Sequence, residues 1–187
     1  MVYYKEIKLK GFFEMDERYR WQTVLETLYN FRAYFLVGDK RKRDEMIKNI
    51  EDNFDGLVIH LKSDEDMLKQ INEVFYANLD KKEKERLEGI FSEVPHHIAI
   101  DAYLERSDEE IMFIVDNVLV NDFMIRFASE YQMWLRHDAC VYAVMAGSVR
   151  NVKKLMNTDP VTFLWRAYRV YTDKEAEQKM SFRKSIK

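Results

Sequence analysis

The sequence predicts a mainly α fold: a helical bundle of about six to seven helices around one long central helix, roughly 121–147. Three observations predict it. The 187 residues include 5 Gly and 2 Pro, against about 13 and about 9 at average usage. Few positions therefore offer the positive φ that tight hairpins need. Apolar residues recur at spacings of three and four through several segments, as on a helix with one buried stripe. The long helix starts near Asn121 and ends near Gly147, about 40 Å at the helical rise.

Taken in chain order, residues 1–12 read as an extended arm with Tyr3, Ile7 and Leu9 on one side. A helix is expected from Asp16 to Val37, with Asp16 as N-cap, Gly38 as the residue that ends it, and Trp21, Leu25, Leu28 and Phe35 as its inward stripe. A second helix, Lys40 to Phe54, turns Met46, Ile47 and Ile50 inward and breaks at Asp55–Gly56. In residues 57–62, Leu57, Ile59 and Leu61 alternate with Val58, His60 and Lys62, the period of a strand. Ser63 is the expected cap of the next amphipathic helix, and Asp80 with Glu83 forms a capping box before another. Residues 97–104 fit either a strand or a short helix.

Ser107–Glu110 reads as a further capping box leading into a helix through Ile111, Ile114, Val115 and Val118. After the long helix come a short basic helix at "VRNVKKLM" and one started by Asp159 and Pro160. The expected organisation is a single helical domain over 1–172 and a polar, basic tail over 173–187. A minor two- or three-stranded β element is expected around 3–9, 57–62 and 97–104.

Charge is unevenly distributed. Residues 1–50 carry +3, residues 51–138 carry −12 and residues 149–187 carry +6, giving basic ends and an acidic middle. Solvated helix faces account for much of this, but opposite-sign surfaces on one molecule also suit contacts between copies or partners.

Common chemistries are excluded by motif. G-x-x-x-x-G-K-[ST] and G-x-G-x-x-G are absent, and scattered glycines build no phosphate cradle. G-x-S-x-G and H-E-x-x-H are also absent. His96 and His97 are adjacent, so on either a helix or a strand they diverge. One cysteine, Cys140, excludes a disulfide framework. On the expected long helix Cys140 falls opposite the aromatic face, and His137 and Glu130 sit at its boundary. Asp138 lands within that face and needs a partner there, since a bare buried carboxylate is costly; it is the candidate buried polar anchor.

The candidate contacts for a partner or for nucleic acid are the basic residues Lys40, Arg41, Lys42, Arg43, Arg150, Lys153, Lys154, Arg183 and Lys184. The expected function is that of a non-catalytic helical assembly subunit, an adaptor or connector such as a viral or phage particle component. The alternative is a nucleic-acid-associated accessory protein using the basic C-terminal third, and after it a small enzyme. No catalytic residue, metal site or cofactor is expected. Protein partners are expected in a homo-oligomer or larger assembly, with nucleic acid as a further candidate. No run long enough to span a membrane is present, and the expected location is the cytoplasm, or the inside of a host cell or viral particle.

Overall fold

The structure, a computed structural model, describes residues 19–91, 98, 102, 103, 105, 109–136, 140–158, 164 and 166–181. It is not a helical bundle. Its centre is a five-stranded, wholly parallel sheet in the order β2-β3-β4-β1-β5. The strands are β1 (Ala33–Val37), β2 (Leu57–Leu61), β3 (Ile111–Val115), β4 (Val141–Gly147) and β5 (Tyr168–Tyr171). The helices are α1 (Gln22–Glu26), α2 (Lys40–Asn53), α3 (Met67–Asn78), α4 (Lys81–Ile90), α5 (Asp122–Arg136), α6 (Val149–Met156) and α7 (Lys174–Ser181).

Both faces of the sheet are covered. One face buries Phe35, Ile59, Phe113, Ala143 and Met145 against residues of α3 to α7, including Ile71, Phe75, Phe127 and Leu155. The other buries Tyr34, Leu36, Ile114, Val144 and Ala146 against Val24 of α1 and Met46, Ile47 and Ile50 of α2. Each large apolar side chain so buried contributes roughly 1.5–3 kcal/mol.

The handedness of crossovers explains the division. From β1 the chain runs across to the far edge at β2, whereas every later crossover runs the opposite way. Right-handed connections therefore place α2 on one face and the later helices on the other. The order reverses between β1 and β4, which makes that junction the topological switch point.

Four expected helices are corrected here. The long helix over 121–147 ends as α5 at Arg136, and Val141–Gly147 is the central strand. A parallel strand with two covered faces has no polar side, so "VYAVMAG" lacks the alternation that marks a half-buried strand. The same holds for "IMFIV", expected as helix and found as β3 with all five residues buried. The expected helix over 16–37 holds only α1 among the described residues before the chain turns and enters β1. Its single stripe is split, with Leu28 in one core and Phe35 in the other. The segment after Pro160 ends in β5. The all-α bundle is thus replaced by an α/β layer fold.

Elsewhere residues 40–53 form α2, residues 57–61 form β2, and Asp80 caps α4 by accepting the Glu83 amide at 2.8 Å. Ser63 does not cap α3; Asp66 does, accepting the Lys69 amide at 2.7 Å. Ile98, Ala102 and Tyr103 are helical, and residues 3–9 lie outside the described residues. From Lys174 to Ser181 the segment expected as tail is α7, with Ala176 buried.

Tyr131 ties α5 to the sheet's amino edge. Its ring is buried, and its hydroxyl bonds to the carbonyl of Arg32 and to that of Val141, the latter at 3.2 Å. Tyr131→Phe is expected to lower unfolding free energy by about 1–2 kcal/mol, because carbonyls at the starts of β1 and β4 lose a donor. Urea denaturation with an unchanged m-value checks this.

Candidate functional site

Because all five strands are parallel, their carboxyl ends lie along one edge, and the chain enters a helix after each. Open α/β sheets bind ligands at this edge, at the switch point. The helix starts there would present free N–H groups, and at each one a side chain of the chain itself takes up one of them. Asp39 accepts the Lys42 amide at 3.2 Å, Asp66 the Lys69 amide, Asn121 the Met124 amide at 3.2 Å, Ser148 the Asn151 amide at 3.2 Å and Asp173 the Ala176 amide at 2.9 Å. Asp, Asn and Ser suit these positions because a short acceptor satisfies an amide that the helix leaves free.

The switch point itself is closed most tightly. Only Gly38 and Asp39 separate β1 from α2. Gly38 has φ +143°, and its amide donates to the Gly147 carbonyl at 3.2 Å. A Cβ at Gly38 would stand 1.9 Å from Thr172 Oγ1, so glycine is required both by φ and by the approach of β5. Thr172 Oγ1 accepts the Asp39 amide at 3.2 Å. Lys42 Nζ pairs with Asp173 at 2.7 Å, which holds the Asp173 carboxyl below its usual range and raises the lysine. Beneath the turn Arg43 is 5% exposed and donates to the Gly38 carbonyl. These contacts form a clasp joining β1–α2 to β5–α7.

At the other end of the edge, Ser63 Oγ donates to the Asn117 carbonyl and Asn121 Nδ2 to the Ser63 carbonyl, each at 2.9 Å. Asp116, directly after β3, faces His60 of β2. The His60 ring lies between two carboxylates, with Nε2 3.1 Å from Glu51 and Nδ1 3.5 Å from Asp116. Both ring nitrogens face acceptors, which favours the imidazolium. The Asp116 contact is the main cause that raises the His60 pKa to about 9, against the opposing effect of burial. Among the described residues no group of three or more His, Cys, Asp or Glu side chains is arranged to hold a metal ion.

No family model matches the sequence, and no curated protein matches it. Solved structures align with parts of the chain. Cdc6p from Pyrobaculum aerophilum aligns with a TM-score of 0.50 at 11% identity, over 80% of this chain and 44% of that one. Drosophila ORC bound to GC-rich DNA and Cdc6 gives 0.48 at 10% identity, over 92% and 36%. The cytoplasmic domain of the Type VII secretion ATPase EccC from Thermomonospora curvata gives 0.39 at 11%, over 74% and 18%. The chain spans less than half the length of each. What it shares with Cdc6p is the fold. That likeness, with the parallel sheet, overturns the expected helical adaptor, and with it the reading as a structural virion component.

The structure scatters the residues singled out in the sequence. Lys40, Arg41, Lys42 and Arg43 form the first turn of α2, with Lys40 paired to Asp44 at 2.6 Å and Arg43 buried. Arg150 and Lys154 are exposed on α6, and Lys153 is half-buried there. Asp138, Arg183 and Lys184 lie outside the described residues, as do His96, His97 and His137. Cys140 is exposed, one residue before β4. Sequence reading missed Thr172, Asp173 and the His60–Asp116 pair. The signal for the latter was present, since "IMFIVDN" is an apolar run ended by polar residues, as at a strand's carboxyl end.

Two outcomes follow from this geometry. Gly38→Ala is expected to destabilise by about 1–3 kcal/mol, through positive-φ strain and displacement of Thr172, measured by chemical denaturation. For His60, the folded pKa lies above the unfolded one. Its stabilisation is therefore full below about pH 6.5 and lost as pH rises through about 9. With the side chain 40% exposed, the loss is expected to be roughly 1 kcal/mol or less. A His60→Gln variant is expected to show no such step between pH 6 and pH 10.

Proposed function

We propose that this chain is a domain of nucleotide-binding, ATPase-like fold that holds no nucleoside triphosphate at its switch point. It works by binding a macromolecular partner, protein or nucleic acid, along the carboxyl edge. The two-residue Gly38–Asp39 turn carries this reading. A strand–loop–helix phosphate grip needs a glycine-rich loop long enough to aim several backbone N–H groups at the phosphates, and a lysine reaching over them. Here the loop is absent, and Asp39 brings a negative charge to the place a phosphate would occupy. Thr172 holds the next amide. Lys42 is turned to Asp173. The residues present do not fit the nucleotide, so no hydrolytic step is assigned to them.

The exposed cations near the starts of α2 and α6, Lys40, Arg41 and Arg150, with Lys154 beyond, are the proposed contacts for a partner's anionic groups. In the described residues no helix is long and apolar enough to cross a membrane.

Titration calorimetry with ATP and Mg²⁺ tests the reading. The expected outcome is no saturable heat up to about 1 mM ligand and no phosphate release above buffer. Binding in the micromolar range that is altered by Asp39→Ala would refute it.

A further inference from the structure

Placing the chain's charge segregation on the sheet order separates it in space. The strand order sets β2 at one edge and β5 at the other. Around β2, the cations Lys62 and Lys69 are matched by Glu65 and Glu73. The exposed carboxylates Asp52, Asp55 and Asp64 carry no ion pair among the described residues. Around β5 the situation is inverted. Asp173 is matched by Lys42, Glu175 by Lys179, and Glu177 accepts from the Tyr19 hydroxyl. Arg166 and Lys174 are exposed without an ion pair among the described residues. Arg169, on β5 itself, has a buried Nε with no hydrogen-bond partner. Among the described residues these ion pairs take up most of the minority charge at each edge, and the exposed groups left over are mostly of one sign.

We infer that the β5 edge of one molecule docks against the β2 edge of a second copy of this chain, the surplus cations Arg166, Arg169 and Lys174 meeting the surplus carboxylates Asp52, Asp55 and Asp64. The inference goes beyond the reading above: it adds a contact at the lateral edges of the sheet, apart from the carboxyl edge. Two edges of unlike sign attract, whereas two copies of the same edge repel. A two-fold dimer that pairs like edges is therefore disfavoured, and the contact is head-to-tail. Such a contact leaves one cationic and one anionic edge free, so association continues past two copies, into a ring or an open chain.

Sedimentation velocity of the full chain tests this at two ionic strengths. At about 0.01 M salt, where the Debye length is about 30 Å, the weight-average mass is expected to rise with concentration beyond that of a dimer. At about 1 M, where it is about 3 Å, association is expected to weaken by on the order of tenfold or more. Arg166→Glu/Lys174→Glu and Asp52→Lys/Asp64→Lys are each expected to stay monomeric alone and to co-assemble when mixed, because reversal at one edge complements reversal at the other. Circular dichroism of each variant keeps loss of fold apart from loss of contact. A salt-independent dimer, a monomer throughout, or a mixture no larger than its components would overturn the inference. ATP titration of the same samples reads the nucleotide question separately.

Discussion

The fold depends on one strand being sheltered on both sides. β4 lies between β3 and β1, and all seven of its residues, Val141–Gly147, are buried. Val141, Ala143 and Met145 fill the core under α5 and α6, while Tyr142, Val144 and Ala146 fill the core against α2. Neither face can be left open, since a strand apolar on both sides would then expose one of them to water. Even its last residue is constrained. A Cβ at Gly147 would meet Val152 at 2.8 Å and Val118 at 3.1 Å, so α6 and the chain leaving β3 close over β4 because no side chain intervenes.

That requirement also governs what could be read in advance. α2 was legible because its outer face meets water, leaving Met46, Ile47 and Ile50 as a stripe, and β2 because His60 faces outward from an edge strand. β3 and β4 were illegible as strands for the opposite reason. Burial on both faces removes the polar half of the pattern, and an uninterrupted apolar run then matches a buried helix equally well. Scarcity of glycine argues against hairpins, and every strand pair among the described residues is parallel. It was no argument against a parallel sheet, whose connections are helices. The site was less legible still. In the sequence Gly38 reads as the end of a helix, whereas it is the turn after a strand, and Asp173 lies 131 residues from its partner Lys42.

At the carboxyl edge, where open α/β sheets hold their ligands, the helix starts carry side-chain acceptors of their own. Each helix start that faces the edge keeps its orientation, and each carries its own acceptor. Three of the five acceptors are carboxylates, which place negative charge where the helix dipoles are positive. Of the exposed charges that carry no ion pair among the described residues, Asp52, Asp55 and Asp64 lie near β2 and Arg166 and Lys174 near β5, toward the two flanks of the sheet.

The register of β1 has a consequence for how the protein is made. Ala33 pairs with Ala143, and Tyr34 with both Val144 and Tyr168. During synthesis β1 and α2 therefore emerge with no strand to pair with, and wait until more than a hundred further residues have been added. Throughout that interval Tyr34, Phe35 and Leu36 are apolar groups on an unpaired strand, the kind of segment that other chains capture. Sheets assembled from such distant pieces fold slowly.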